Sequence, residues 1–117
     1  MRIVKSITFD AAHFLDDEVD APAYRRMHGH SFQLEVELEG EPNASGWVAD
    51  FGEVTKALEH LRAQIDHRLL NEVEGLERPT LENICQWAAG KLKPDFPNLR
   101  SVRVARPSNG ESCLYEL

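Results

Sequence analysis

Three histidines have residue types and spacing that suit metal chemistry: His13 closes Phe9-Asp10-Ala11-Ala12-His13, and His28 and His30 lie in Met27-His28-Gly29-His30-Ser31-Phe32. Imidazole is a zinc ligand, and three protein ligands leave a fourth position for water or substrate, as in a catalytic rather than a closed structural site. A lone histidine is ordinarily a surface or satisfied core residue. A His-x-His pair on an apolar strand face, with a third histidine on the preceding strand, is harder to explain by packing. Zinc is the expected ion; nickel, iron and copper are other occupants that such ligands accept.

A second candidate is Asp66-His67, within Ile65-Asp66-His67-Arg68-Leu69-Leu70-Asn71. Histidine titrates near neutrality, and an adjacent carboxylate orients it and stabilises its protonated form, which suits proton transfer. The same residues also suit the end of a helix, where His and Arg complement the dipole. Residue types alone leave both readings open. Thr80 and Glu82, in Thr80-Leu81-Glu82-Asn83, read first as capping chemistry for a helix start. His60 and Met27 have no partner in the sequence that lifts them above ordinary surface and core roles.

The elements that must position these residues are legible from periodicity. Residues 2 to 9 put Ile3, Ile7 and Phe9 on one side of a strand and Val4, Ser6 and Thr8 on the other, and the same count of two turns His13 to the Phe9 side. From 28 to 39, Phe32, Leu34, Val36 and Leu38 alternate with Ser31, Gln33, Glu35, Glu37 and Glu39, as in a sheet with one wet face. His28 and His30 extend that apolar face, so both reach one ion if His13 arrives on the neighbouring strand. Residues 15–27, rich in Asp, Ala and Pro, read as a long loop between the two strands.

Asp50 and Glu53 have capping-box spacing, and Val54, Leu58, Leu61 and Ile65 follow at helical intervals, which predicts a helix from Phe51 to about Asp66. A second helix starts after Thr80 as cap, with Ile84, Trp87, Ala88 and Leu92 as its apolar face and Pro94 just past its end. Val102 and Val104 mark a third strand, Asn109-Gly110 a turn, and residues 113–117 a short fourth strand. The expected class is α+β, ββααββ: a four-stranded antiparallel sheet with two helices on one face. Its unpaired edges favour oligomerisation.

A chain of 117 residues reads as one domain, 1–117. A formal net charge of −7 argues against a nucleic-acid surface, and no apolar run approaches bilayer length, so neither nucleic acid nor membrane is an expected partner. Nothing at the N-terminus reads as an export signal, so the expected location is cytoplasmic. Cys85 and Cys113 are read as free thiols.

Together the quoted motifs, with Gly46-Trp47-Val48-Ala49-Asp50-Phe51 and Arg78-Pro79-Thr80-Leu81-Glu82-Asn83, resemble the 6-pyruvoyltetrahydropterin synthase and 6-carboxytetrahydropterin synthase family over almost the whole chain. Length and short loops make it look more like the bacterial carboxytetrahydropterin branch, which serves queuosine and deazapurine biosynthesis. The resemblance implies the tunnelling fold, with sheets joined into a trimeric barrel and two barrels stacked into a hexamer. It implies zinc on His13, His28 and His30, proton transfer by Asp66 and His67 at a subunit boundary, and Thr80 and Glu82 near the pterin. The implied reaction converts 7,8-dihydroneopterin triphosphate to 6-carboxytetrahydropterin, acetaldehyde and triphosphate.

Two positions depart from the family pattern. Tyr24 stands where the family has its catalytic cysteine, and a tyrosine's ordinary pKa of about 10, against about 8.5 for cysteine, makes it the poorer base at neutral pH. Arg106 stands where the family has a glutamate that holds the pterin's guanidine-like edge, and a cation cannot accept those hydrogen bonds. Glu111 is a candidate replacement carboxylate; an acidic ligand opposite Arg106 is the other reading. Alternatives to the implied reaction are a paralogue acting on another pterin, as a pyruvoyl-type synthase or a dihydroneopterin aldolase, and a non-catalytic zinc- or pterin-binding protein.

Overall fold

A computed structural model describes residues 1–16 and 21–117. Its four long strands are β1 (Arg2–His13), β2 (His28–Glu39), β3 (Leu99–Arg106) and β4 (Glu111–Glu116), and they form one antiparallel sheet in the order β1-β2-β3-β4. Helices α2 (Phe51–Ile65) and α3 (Leu81–Leu92) sit between β2 and β3 in the chain. The predicted loop over 15–27 falls partly outside the described residues; within it, Pro22–Arg25 form a single helical turn, α1, with proline at its start. Both helices and all four strands thus appear in the expected order.

The core forms because the apolar alternation of β2 and the helical repeat of α2 face each other. Phe9, Phe32, Leu34, Val36, Leu38, Val102 and Val104 line the inner sheet face, and Val54, Leu58, Leu61 and Ile65 from α2 and Ile84, Cys85, Ala88 and Leu92 from α3 join them in one buried cluster. Each large apolar side chain buried this way contributes roughly 1.5–3 kcal/mol relative to exposure. Burial among these groups pushes the Cys85 thiol up to about 12, with Cys113 as the next cause, so it stays protonated and packs as an apolar side chain.

The capping expectation is met differently at the two helices. The Asp50 carboxylate accepts from Gly52 N at 2.8 Å, two residues on rather than three, while Glu53 pairs with Lys56 at 3.2 Å. Asp50 is short enough to satisfy the nearer amide, so the spacing marked the helix start but not the bond. Thr80 Oγ1 accepts from Asn83 N at 3.2 Å, as predicted for α3.

The outer sheet face is polar along β2 and β3, where Arg103 meets Glu35 at 3.7 Å and Ser101 donates to Glu37 at 2.9 Å. The segment after α2 turns back along the free edge of β1. Asp66 ends the helix, His67 takes a left-handed φ of 57°, and Arg68 and Leu69 then run beside Ala12, with Ala12 N donating to Arg68 O at 2.9 Å. Asn71 locks this junction, accepting from Phe14 N at 3.0 Å and donating to Phe14 O at 2.9 Å. Among the described residues, no helix is long and apolar enough to cross a membrane.

Candidate metal centre and adjoining cavities

Antiparallel register places His13 directly opposite His28 and Ala11 opposite His30. Residues two apart on a strand share a face, so His28, His30 and Phe32 line up on the inner side, with His13 and Phe9 facing them from β1. The stacked pair Phe9 and Phe32, with ring centroids 4.9 Å apart, closes the core end of this row. His13 and His30 both meet the Phe32 ring edge to face, at 5.9 Å and 5.5 Å. The imidazoles therefore stand at the end of the hydrophobic core, held by aromatic packing, with one ligand atom from each inside a mutual spread of 4.8 Å.

Their hydrogen bonds fix which nitrogen is available. His13 Nδ1 lies 2.9 Å from Pro79 O and His28 Nδ1 lies 2.7 Å from Arg26 O. A carbonyl only accepts, so each Nδ1 is the donor, which leaves Nε2 of each ring as the nitrogen that could hold a metal. The Nε2 atoms of His13 and His30 are buried without a hydrogen-bond partner among the described residues. Burial, more than any other cause, lowers the His13 pKa to about 4, with His28, His30 and Arg106 adding to the effect and the Pro79 bond opposing it. Burial and then Arg106 lower that of His30. Converging rings, orphaned Nε2 atoms on two of them and outer carbonyls that orient two of them are what a histidine-held zinc ion would need.

Two cavities flank the triad. One of about 240 Å³ is lined by Tyr24, His28, His30, Arg106, Asn109 and Glu111. Strand register makes Arg106 and Glu111 cross-strand partners, and Arg106 Nη2 is 2.5 Å from Glu111 Oε2. The structure thus brings Tyr24 to Arg106 and Glu111, more distant in sequence, and sets all of them beside two of the histidines.

The second cavity, about 580 Å³ and open, is lined by Asp10, Gly29, His30, Ser31, His67 and Arg68 among others. Asp66 does not line it but is bonded to two residues that do, Asp10 and His67. Its Oδ1 accepts from Asp10 N at 2.9 Å and its Oδ2 lies 3.0 Å from His67 Nδ1, while His67 N donates to Asp10 O at 2.6 Å. The amide of Asp10, then His67, with a smaller contribution from Arg62 at 3.6 Å, holds the Asp66 carboxyl below the usual aspartate range. The His67 ring is 79% exposed. The left-handed turn that ends the helix and the paired carboxylate present the ring to solvent on the wall of the cavity that His30 also lines.

The Asp66 shift sets the sign of a pH effect. Its folded pKa is depressed, so its contribution to stability is complete above the unfolded value of 3.8 and is lost as pH falls through the lower folded value. Melting curves of Asp66→Asn against the unaltered chain should therefore show a constant deficit from about pH 7 down to about pH 5, shrinking below about pH 4. A deficit that grows on acidification would contradict the assigned hydrogen bonds.

Thr80 and Glu82 stand apart. Thr80 caps α3 and Glu82 is exposed in its first turn, and neither lines the two cavities among the described residues. Their neighbour Pro79 is the one that touches the triad, through its carbonyl. Pro79, Arg26, Asp10 and Ser31 escaped sequence reasoning. The first two act through backbone oxygens, which carry no side-chain signal. Ser31 donates to Asp10 Oδ1 at 2.5 Å, a cross-strand bond that only the β1–β2 register creates.

The sheet order and the helices packed on one face define a tunnelling-fold subunit, with three converged histidines that could hold a metal. The profile of the 6-pyruvoyl tetrahydropterin synthase family matches residues 2–116, and the chain belongs to that family. It is 36% identical over 107 residues to a dihydroneopterin monophosphate aldolase of Pyrococcus furiosus, covering 92% of this chain and 86% of that protein. It is 38% identical over 109 residues to a 6-carboxy-5,6,7,8-tetrahydropterin synthase of Synechocystis, covering 87% of this chain and 83% of the relative. The solved structure of Caenorhabditis elegans 6-pyruvoyl tetrahydropterin synthase superposes with a TM-score of 0.85 at 25% identity, covering 100% of this chain and 95% of that one.

Proposed function

We propose that the chain, as a single domain over 1–117, is a zinc-dependent lyase acting on the phosphorylated side chain of a dihydropterin, of the 6-carboxytetrahydropterin synthase type. Its substrate is then 7,8-dihydroneopterin triphosphate, its products are 6-carboxytetrahydropterin, acetaldehyde and triphosphate, and its place is queuosine and deazapurine biosynthesis. The observation that carries this reading is the convergence of three imidazoles, with Nε2 of His13 and His30 buried and, among the described residues, unsatisfied, at the edge of a cavity in a chain of this family.

His13, His28 and His30 are the proposed zinc ligands; when bound, zinc polarises side-chain hydroxyls and eases loss of their protons. Pro79 O and Arg26 O hold two of the rings in the tautomer that ligation needs. Asp66 fixes Nδ1 of His67, leaving Nε2 as the atom that gives or takes a proton. The exposure of His67 supports its acting at a subunit boundary, in a homo-oligomer proposed as a hexamer of two stacked trimers. Val4 and Leu114, both on the outer sheet face and about half exposed, are apolar surface that such an assembly would cover. Thr80 and Glu82 are proposed near the pterin, and the setting is proposed as cytoplasmic.

Tyr24 and Arg106 support a second reading, aldol cleavage of a dihydroneopterin phosphate without the family cysteine, which the Pyrococcus furiosus relative's name also suggests. Product analysis separates the two. Zinc-loaded protein given dihydroneopterin triphosphate releases acetaldehyde and triphosphate under the first reading. Given the monophosphate, it releases a two-carbon aldehyde phosphate and a hydroxymethyl dihydropterin under the second. Tyr24→Phe is expected to lower kcat by about 100-fold or more if the phenol replaces the cysteine base, in line with general-base contributions. Retention within about threefold would transfer the role to His67 and favour aldol cleavage. No product from either substrate would remove the lyase reading altogether.

A further inference from the structure

The Arg106 side chain is 20% exposed, and its Nε is buried without a hydrogen-bond partner among the described residues. Glu111, its ion-pair partner, is 47% exposed and meets the guanidinium through Nη2. A guanidinium offers five N–H donors in a planar fork that matches phosphate and carboxylate. A single contact to a half-exposed carboxylate leaves part of that fork unused, and a buried N–H without an acceptor carries a desolvation penalty that an incoming acceptor relieves.

The charge of the cavity points the same way. Among the described lining residues Glu111 offsets Arg106, so a divalent ion held by the three imidazoles would add two positive charges to this space, the complement of a phosphate monoester dianion. The guanidine-like edge of a pterin presents N–H donors, which Arg106 cannot accept. The Arg106 end of the cavity is therefore built for an anion.

We propose that Arg106 binds the phosphate esterified to the substrate's side chain, beside the histidine triad, and thereby selects phosphorylated over unphosphorylated pterins. The assignment rests on the pterin-lyase reading above for the rest of the ligand, but not for the phosphate. Arg106 is then a specificity-determining residue, and Glu111 is a counter-ion that yields part of the guanidinium when the phosphate enters.

Equilibrium dialysis of the zinc-loaded chain against neopterin, neopterin 3′-phosphate and inorganic phosphate tests this. The unaltered chain is expected to prefer the phosphate ester over neopterin by about 10- to 100-fold, the range of a charge-assisted fork contact. Arg106→Met should reduce that preference to below about threefold while neopterin itself still binds, which also reports a folded site; Arg106→Lys should keep part of it. Glu111→Gln should preserve or raise the preference. Full preference in Arg106→Met, or none in the unaltered chain, overturns the proposal, as does equal weakening of both pterins in Glu111→Gln, which would make the carboxylate the ligand-binding group. Neopterin bound equally with and without its phosphate defeats the Arg106 assignment and leaves the pterin reading standing. Arg106-dependent binding of inorganic phosphate without either pterin does the reverse.

Discussion

His30→Ala is expected to lose stoichiometric zinc and, with it, turnover. Its Nε2 is buried and unpartnered, it stands between the two cavities, and its ring packs against His13 and His28 at centroid separations of 5.0 Å and 4.9 Å. Removing an outer partner of a metal ligand ordinarily costs 10- to 100-fold in affinity, so loss of a ligand itself should exceed about 100-fold. kcat/KM should fall by about 1000-fold or more, because zinc supplies the polarisation that no other group in the cavity replaces. The backbone should tolerate the change: His30 is only half-buried, and the Phe9–Phe32 stack that closes the core lies beyond it. Metal analysis after dialysis, with the kinetic assay, checks both. A His30→Ala protein that binds zinc as tightly as the unaltered chain would show that the ion sits elsewhere.

The second large effect belongs to the Asp66–His67 pair and differs in kind. His67→Ala should lower kcat by about 100- to 10,000-fold, the span of general acid–base catalysis, while zinc content is unchanged because His67 is not among the converged ligands. Asp66→Asn should lower kcat less. Its amide retains one oxygen, which can keep the bond from Asp10 N or that from His67 Nδ1 but not the pair made by the two carboxylate oxygens, and the negative charge beside His67 is gone. Loss of zinc in His67→Ala would indicate a structural role, and unchanged kcat in both variants would place proton transfer on other groups.

The triad was readable because strands impose a period of two and the apolar alternation of β2 runs straight into His28 and His30. One register assumption then brings His13 opposite, and the β1–β2 pairing supplies it. The helices were readable for a similar reason: Val54, Leu58, Leu61 and Ile65 repeat on one face. Arg106 and Glu111 stood out singly in the sequence, yet their pairing depends on the β3–β4 register and the turn at Gly110, with its φ of 68°. Asp66-His67 was ambiguous because a helix end and a proton-transfer pair use the same residue types. A left-handed residue after a helix serves either reading; what the structure adds is the Asp10 amide bond to Asp66 and a cavity wall that His67 shares with His30, both products of the chain folding back on β1. The contacts of Pro79 and Arg26 with the triad are made by carbonyls, and any residue type supplies one.

The account stands most directly on metal-dependent turnover of a phosphorylated dihydropterin. Chelator-treated protein, assayed with dihydroneopterin triphosphate and monophosphate, is predicted to be inactive on both, and one equivalent of zinc per chain is predicted to restore release of the aldehyde product from one of them. Full turnover by the zinc-free protein, or none after zinc has bound to His13, His28 and His30, would contradict it.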